Sequence, residues 1–399
     1  MNIDAPANEA LSVSTGSAFD AARRVLTDAI EAHAFPGCAF GVLSAGKVMF
    51  QAAAGHATYD PDSFAIMPET IYDVASLTKV VATTATAMLL FQRGILDLDT
   101  PLGELLPGFV VGRPPAQRAR LVTIRHLLAH SSGLPGYVEL FRTATTPESL
   151  LRACLRLPLE AEPGTRAEYS DIGFILLGKA LEVLLREPLA HWAQREIFDA
   201  LQLQSTGFNP AACRRPSIPP TEEDSTLRYR TIQGEVQDEN AWRLNGAAGH
   251  AGLFSNVPDL LRFAASLLPP NAEEESAAPL FSPQTVEAFS KRQEPEGSSR
   301  ALGWDTPSKN SSAGQHFSSH SIGHLGYSGC SLWIDLEAAI AVVLLTNRTW
   351  PDRSSQLIRD VRPAFHDAVR SALNTSTAGN RARGTSHRAG VSVPDWPRA

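Results

Sequence analysis

The sequence lacks several features that would assign it to a class at once. It has only four cysteines, and no two of them form a C-x-x-C pair, so neither a zinc ribbon nor a redox motif is readable. Most of the four are expected to be small buried residues. No run of about 18 apolar residues occurs, so no transmembrane segment is predicted.

Basic character is also lacking. The net charge is -7, the pI is near 5.9, and no stripe of lysine and arginine stands out that could neutralise phosphates. These values argue against a nucleic-acid or anionic-membrane surface. A small-molecule or peptide substrate is therefore the expected partner, and the oligomeric state is not indicated.

The first residues lack a cationic start followed by an apolar run, which a secretory signal requires. We therefore expect a cytoplasmic protein, or a periplasmic one if the native leader is missing from this sequence.

The composition is that of an ordinary globular protein, with 43% hydrophobic and 19% charged residues. A length of 399 residues exceeds the usual size of one domain, so we expect two structural units, or one unit with a large insertion. No internal repeat is visible.

Apolar periodicity predicts a first helix over about 17–34 and a hairpin of two strands, 38–43 and 48–52, joined by a Ser-Ala-Gly-Lys turn. A further helix runs over 76–93 and ends at Gly94. The middle of the chain is predicted to be mostly helical, at 124–130, 147–156, 172–186 and 189–201.

Strand character returns late in the chain, at 331–335 and 339–345, before a closing helix at about 352–373. Segments 269–279 and 292–300 are predicted to be loops. Residues 1–16 are expected to form a flexible end, and the tail from 374 to 399 is expected to be disordered because it lacks apolar periodicity.

The pattern Ser-x-x-Lys occurs twice, as Ser44 with Lys47 and as Ser76 with Lys79. The first pair flanks the predicted hairpin turn, where serine and glycine suit the backbone geometry, so a structural role is favoured. The second pair opens an apolar helix, and one helical turn would stack Lys79 beside Ser76, within reach of the hydroxyl proton.

A serine hydroxyl is a poor nucleophile until a base takes its proton, and lysine can do so only if burial lowers its pKa toward neutrality. The apolar flank of the helix suits that requirement. The N–H of Ser76 at the helix start could also help to bind an oxyanion. On this pair alone, an N-cap serine with a surface lysine explains the pattern equally well.

Three further segments decide between these interpretations. They are 124–134 (IRHLLAHSSGL), 163–174 (PGTRAEYSDIGF) and 324–329 (HLGYSG). With the Ser76 and Lys79 pair, their order and spacing over about 17–373 resemble the serine β-lactamase and penicillin-binding-protein superfamily, in its class C-like branch. Segments 234–241 and 249–255 are similar to a penicillin-binding-protein 4B-like subset.

The resemblance implies roles by position. Ser76 is acylated, Lys79 acts with Tyr169 to move its proton, and the N–H groups of Ser76 and Tyr327 form the oxyanion hole. Lys79 and Tyr169 have reference pKa values about three units above neutrality, so each needs the other, or burial, to act as a base at pH 7. His324, Gly326 and Asp171 are expected, with Tyr327, to bind the substrate or its oxyanion.

Two motifs depart from the family pattern. Asp171 stands where Tyr-x-Asn has its amide, and His324 with Leu325 stands where the Lys-Thr-Gly of β-lactamases has lysine and threonine. A histidine is only partly cationic near pH 7, so recognition of a substrate carboxylate is weakened. We expect Asp171 to pair with His324 or Lys79, which should raise the pKa of its partner.

The histidines permit a metal interpretation, which we consider weak. His126 and His130 lack the glutamate of H-E-x-x-H, while His316, His320 and His324 fall on a predicted loop and strand, where a spacing of four does not cluster side chains. No metal and no cofactor are expected. His250 lies between glycines and either approaches the site or belongs to a tight structural turn.

The resemblance implies an α/β (α+β) fold of β-lactamase/transpeptidase type. In it, residues 17–75 and 250–373 form an antiparallel sheet flanked by helices, and residues 76–249 form an α-rich insertion. The expected function is hydrolysis of an ester or amide through a Ser76 acyl-enzyme, with a small ester, a D-amino-acid peptide or a peptidoglycan-type fragment as substrate. The alternatives are a β-lactamase or D-Ala-D-Ala carboxypeptidase proper, and a catalytically inactive binding or regulatory module.

Overall fold

The structure is a computed structural model that describes residues 17–112, 116–269 and 279–384. Residues 1–16, most of the predicted loop 269–279, and 385–399 therefore lie outside the described residues. Within the described part, none of the helices has the length and apolar character needed to cross a bilayer.

The strands of the described residues are β1 (Gly37–Ser44), β2 (Lys47–Gly55), β3 (Tyr72–Asp73), β4 (Gly207–Phe208), β5 (Glu222–Asp224), β6 (Arg230–Ile232), β7 (Leu253–Ser255), β8 (Ser321–Leu325), β9 (Ser331–Asp335) and β10 (Ile340–Thr346). The α-helices are α1 (Asp20–Glu31), α2 (Ala85–Gln92), α3 (Leu102–Leu105), α4 (Ala116–Arg120), α5 (Ile124–Leu128), α6 (Pro147–Arg156), α7 (Asp171–Leu185), α8 (Leu189–Ala193), α9 (Glu239–Arg243), α10 (Val257–Ala265), α11 (Pro283–Ser290) and α12 (Ile358–Gly384).

The main sheet has five antiparallel strands in the order β2-β1-β10-β9-β8. Strand β10 is buried along its whole length because helices cover both faces of the sheet. On one face, α1 and α12 pack together over Phe40 and Val42; on the other, α10 contacts β1 and β10 next to Ala39 and Leu43. Strand β8 forms the outer edge of this sheet.

The predicted hairpin is confirmed. Ser44 pairs with Lys47 across the turn, and Ala45 and Gly46 both have left-handed φ, 48° and 77°. This is the geometry of a tight two-residue hairpin, so the first Ser-x-x-Lys pattern is a turn.

Helical segments dominate between Ser76 and Gly249, as the pattern predicts. Two small sheets were not predicted: β5 pairs with β6, and β7 lies between β3 and β4. Their strands have two or three residues, too few to show a period of two in the sequence. The boundaries of the two predicted domains stay a prediction.

The prediction for the C-terminal segment was partly wrong. Helix α12 begins at Ile358, later than expected, and continues to Gly384 through residues that were expected to be disordered. Those residues lack an apolar stripe, yet each added helical residue gains one backbone hydrogen bond from a helix that has already nucleated.

Candidate active site

Ser76 lies in a single 3₁₀ turn, Ala75–Leu77, directly after β3. Ala75 has a left-handed φ of 47°, which is costly for a residue with a side chain. The turn is held by Asp73, whose Oδ1 accepts the Ala75 N–H at 2.8 Å. Ser328, from the turn after β8, donates its hydroxyl to the Asp73 carbonyl at 2.8 Å. The strained turn is thus fixed to the sheet.

Lys79 follows one turn later and begins a π-helical segment, Lys79–Thr84, where the sequence predicted a regular α-helix. Its side chain is fully buried. The three ammonium donors have three acceptors: Ser76 Oγ at 3.0 Å, Asp171 Oδ1 at 2.6 Å and the His250 carbonyl at 2.9 Å. An ammonium group has three N–H donors, so this geometry describes a charged lysine.

Two opposed expectations apply to the pKa of Lys79, a lowering by burial and a raising by pairing with Asp171, and the second is confirmed. Burial acts to lower it, but the carboxylate of Asp171 and, after it, Tyr169 raise it by more, so that the pKa lies above its ordinary value. The expected neutral lysine is therefore corrected to an ammonium paired with Asp171 at rest. Of the two expected partners of Asp171, the structure shows Lys79 and not His324.

Tyr169 and Asp171 lie on either side of an N-cap. Ser170 begins α7 by accepting the Gly173 N–H at 2.9 Å and donating to the Pro135 carbonyl at 2.7 Å. Asp171 is the first residue of the helix, where the exposed N–H groups favour a carboxylate. The cap therefore aims both side chains at Lys79.

The Tyr169 hydroxyl lies close to Ser76 and Lys79. Burial raises the pKa of this phenol above its usual value, against the opposing effect of Lys79. Its ring stacks on His130, with centroids 4.6 Å apart, and Lys79 Nζ lies 4.9 Å from its centroid. Tyr169 is thus a neutral phenol at pH 7, next to the nucleophile.

His130 supports this tyrosine. Its Nδ1 accepts the Ser170 N–H at 3.0 Å, so the proton of the neutral ring is on Nε2. Burial, followed by Arg300 and Lys79, lowers its pKa well below the usual range. The sequence indicates His130 only as the end of a predicted helix and as a weak candidate for a metal ligand, and its packing against Tyr169 was missed.

The third motif forms the end of β8 and the turn that follows. His324 is buried, its Nδ1 donates to the Leu325 carbonyl at 2.8 Å, and burial with nearby Lys79 and Arg300 lowers its pKa well below the usual range. The partial charge expected on this ring is therefore absent, and it cannot replace a cationic lysine in binding a carboxylate. Gly326 packs so closely that an added Cβ would lie 2.5 Å from the Val74 carbonyl.

His250 is buried behind the site. Its Nε2 lies 2.8 Å from Asp238 Oδ1, while its backbone carbonyl accepts from Lys79. Asp238 has a pKa of about 2, because the charge and hydrogen bond of His250 outweigh its desolvation, which acts in the opposite direction. The side chain of His250 thus links the two segments that the sequence singled out, and its main chain, not its ring, touches Lys79.

These residues surround a cleft of about 570 Å³ between β8 and the helical part of the chain. Six predicted site residues line it: Ser76, Tyr169, Asp171, His324, Gly326 and Tyr327. Lys79 lies beneath the cleft and His250 behind it, whereas His126, His316 and His320 do not line it.

Several residues that line the cleft were not predicted as site residues from the sequence: Asp73, Tyr137, Asp238, Arg300, Arg348, Arg353 and Arg362. Arg300 lies over the Tyr169 ring, 5.3 Å from its centroid. Asp73 could have been noticed, since it stands three residues before the nucleophile. The arginines come from predicted loops and a predicted helix, and no sequence pattern distinguishes them from surface residues.

Asp73 gives a testable pH dependence. Burial raises its pKa from 3.8 to about 6, against the hydrogen bonds from Gln237 and Ala75. The folded state therefore binds a proton between these values that the unfolded chain has released, so stability falls as pH rises from about 4 to 6. A shift of this size corresponds to about 3 kcal/mol. The free energy of unfolding, measured with denaturant at pH 4 and pH 7, should show this loss in the wild type and not in Asp73→Asn. An equal change in the free energy of unfolding in both proteins would contradict the prediction.

The geometry defines a hydrolase with a nucleophilic serine. A hydroxyl, an ion-paired lysine and a half-buried tyrosine meet at the floor of a cleft, and the turn carrying Tyr327 lies on its sheet side.

The comparison with known families identifies the class further. The family model named Beta-lactamase matches residues 22–363, so this chain belongs to the β-lactamase family of serine hydrolases. It is 29% identical over 351 residues to N-acetylmuramyl-L-alanine amidase of Bacillus subtilis, an alignment that covers 79% of this chain and 78% of that protein. It is 29% identical over 349 residues to a Salmonella typhimurium protein provisionally named D-alanyl-D-alanine carboxypeptidase, covering 79% of each chain.

Solved structures share the fold. EstCE1, a hydrolase with promiscuous acyltransferase activity, has a TM-score of 0.69 at 22% identity, covering 88% of this chain and 100% of that one. A class C β-lactamase from Rhodobacter sphaeroides has a TM-score of 0.67 at 20% identity, covering 90% and 99%. The expected β-lactamase/transpeptidase-like fold is thus confirmed.

Proposed function

We propose that the protein hydrolyses an amide or peptide bond of a peptidoglycan-type fragment through an acyl-enzyme on Ser76. The observation that carries this proposal is the contact of Lys79 with both Ser76 Oγ and Asp171 Oδ1, at 3.0 and 2.6 Å. Through these contacts, Asp171 can accept a proton from Lys79, and Lys79 can then accept the proton of Ser76.

The hydroxyl proton of Ser76 needs an acceptor, because Lys79 is already a fully protonated ammonium at rest. Transfer of one proton from Lys79 to Asp171 leaves a neutral amine beside the hydroxyl, which then accepts the serine proton as Oγ attacks the carbonyl carbon. The amine is charged again and Asp171 holds the extra proton. Burial by itself favours this transfer, because it replaces two charges by two neutral groups. The attraction between Lys79 and Asp171, which raises the pKa of Lys79, opposes it, so the transfer takes place as Oγ attacks and not at rest. Tyr169 is placed to give its proton to the leaving group and to take one from Lys79, after which Asp171 returns its extra proton to Lys79 and the resting ion pair is restored.

The oxyanion that forms on the substrate carbonyl needs donors at the cleft. The N–H groups of Ser76 and Tyr327 belong to two turns that are tied together through Asp73 and Ser328. We assign these two donors to the oxyanion hole. A hole formed by two fastened turns needs little reorganisation during the reaction.

The charges of the cleft support a peptide-like substrate. Arginines and carboxylates both line it, among them Arg359, Arg300, Asp238 and Glu139. A fragment carrying both an ammonium and a carboxylate matches such a lining. The two relatives are named for amidase and carboxypeptidase activities, which supports the same class.

A small ester is the second candidate. The neutral His324 removes the cation with which a lysine would hold a substrate carboxylate, and a simple ester needs no such contact. For the same reason we expect only slow hydrolysis of penicillins and cephalosporins. Rapid turnover of nitrocefin would contradict this expectation.

Labelling of the nucleophile separates an enzyme from an inactive binding module. A fluorophosphonate should add one label to the wild type by intact mass, and Ser76→Ala should take up none. Ser44→Ala, at the other Ser-x-x-Lys pattern, is the matched control and should be labelled like the wild type. An unlabelled wild type, or labelling that persists in Ser76→Ala, would overturn the proposal. Release of amine from a muropeptide, compared with p-nitrophenyl acetate hydrolysis, then decides between the two substrate classes.

A further inference from the structure

Arg362 is a buried cation that the proposed reaction has not used. It lies on α12 with 7% of its surface exposed, and its guanidinium points to the turn between β8 and β9. Nη2 donates to the Gly326 carbonyl at 2.7 Å and to the Cys330 carbonyl at 2.8 Å, and Nε donates to the Gly329 carbonyl at 3.2 Å.

The charge of this group has no carboxylate partner within the described part of the chain. Burial and the nearby Arg348 lower the pKa of Arg362, to about 10, so the guanidinium is charged at neutral pH. A buried charge without a counter-ion is costly. Its only described compensation is the set of three carbonyl dipoles that it binds.

One of these carbonyls matters for the reaction. The Gly326 carbonyl belongs to the same peptide group as the Tyr327 N–H, and it accepts from both Arg362 and the Gly329 N–H at 3.0 Å. Donation to the oxygen of an amide draws electron density from its nitrogen, so the N–H on the other side becomes a stronger donor. A cationic donor has a larger effect than a neutral one.

We propose that Arg362 is a positioning residue of the oxyanion hole, which orients and polarises the Gly326–Tyr327 peptide so that the Tyr327 N–H binds the developing oxyanion. This inference rests on the proposed function, because it assumes that the Tyr327 N–H is an oxyanion donor. It adds a cleft-lining residue on another element, α12, whose three described hydrogen bonds all go to carbonyls of the turn, so that its charge acts through a peptide bond.

Arg348 provides a matched control in the same turn. Its Nε donates to the Tyr327 carbonyl at 2.8 Å and its Nη1 to the Ser355 carbonyl at 3.0 Å. The Tyr327 carbonyl belongs to the next peptide group, which carries the Ser328 N–H. Loss of Arg348 should therefore loosen the turn without removing polarisation from the Tyr327 N–H.

The test compares p-nitrophenyl acetate with its thiono analogue, in which sulfur replaces the carbonyl oxygen. Sulfur is a poor acceptor, so the thionoester gains little from oxyanion donors. Arg362→Gln should lower kcat/KM for the oxoester by about tenfold and for the thionoester by much less, which reduces their ratio. Arg362→Lys, which keeps the charge, should recover part of the ratio, and Arg348→Gln should affect both esters equally.

An unchanged ratio in folded Arg362→Gln would overturn the inference and reduce Arg362 to a support of the fold. If this variant does not fold, Arg362→His takes its place, and a wild-type ratio in it has the same meaning. Failure of the proposed function gives a different result: the wild type then hydrolyses neither ester and takes up no label at Ser76.

Discussion

Lys79→Met should slow acylation of Ser76 by about 10⁴-fold, the upper end of the range for loss of a positioned acid-base group. Methionine fills the buried volume but can neither donate to Ser76 Oγ nor accept its proton. The rate of the p-nitrophenolate burst with p-nitrophenyl acetate measures acylation directly. A burst rate within tenfold of the wild type would contradict the role of Lys79.

The same change should destabilise the fold, because Asp171 loses its partner at 2.6 Å. Removing one member of a buried pair costs about 3–5 kcal/mol, and the 17% exposure of Asp171 lowers this figure. The double variant Lys79→Met with Asp171→Asn leaves no unpaired charge. It should recover much of the stability in denaturant unfolding but none of the burst, which separates the catalytic loss from the structural one.

Asp171→Asn should lower kcat/KM at pH 7 by about 100-fold, because the relay loses its proton store while the amine and Tyr169 remain. Asp171 is also the main group that raises the pKa of Lys79, so burial then lowers that pKa. More of the lysine becomes neutral as pH rises, and activity should recover in part toward pH 9. A pH profile identical to that of the wild type would exclude the pairing.

The pH dependence of stability should change direction in this variant. In the wild type the raised pKa of Lys79 gives stability that is present below the unfolded pKa near 10.5 and is lost only as pH rises through the folded pKa. In Asp171→Asn the lowered pKa makes the folded state bind fewer protons, so stability should fall as pH decreases from 10 to 7. Asp99→Asn removes an exposed ion pair with Arg125 and serves as the control. Its free energy of unfolding should depend on pH between 7 and 10 as that of the wild type does.

Periodicity predicted the hairpin, α6, α7 and β9 closely, because each buries one regular face or a continuous apolar run. The predictions that failed did so because a sequence pattern reports only on interactions between residues that are near each other in the chain. The π-helical segment at Lys79 and the left-handed Ala75 follow from contacts with distant segments, and no local pattern indicates them.

For the site, the motifs placed Ser76, Tyr169 and His324 around one cleft, but charge states were beyond the sequence. Whether Lys79 is neutral depends on the balance between its burial and a carboxylate 92 positions away, and His324 is neutral because of burial and two cations. These protonation states can be derived only when the distances between the charged groups are known. Arg362 was not predicted for the same reason. Its role depends on which carbonyls its guanidinium binds, and a single arginine in a helix does not indicate these partners.

The order of strands in the main sheet has a consequence for how the enzyme is made. Strand β1 lies between β2 and β10, and nearly the whole described chain separates β1 from β10. During synthesis, the edge of β1 that pairs with β10 in the folded protein stays unpaired until β10 has left the ribosome. An unpaired, apolar strand edge favours wrong pairing between chains. Long-range pairing of this kind also predicts slow folding. A polypeptide stopped before β8 would carry Ser76 and Lys79 without three of the five strands of the main sheet, so the newly made enzyme gains its activity only after β8, β9 and β10 have been synthesised.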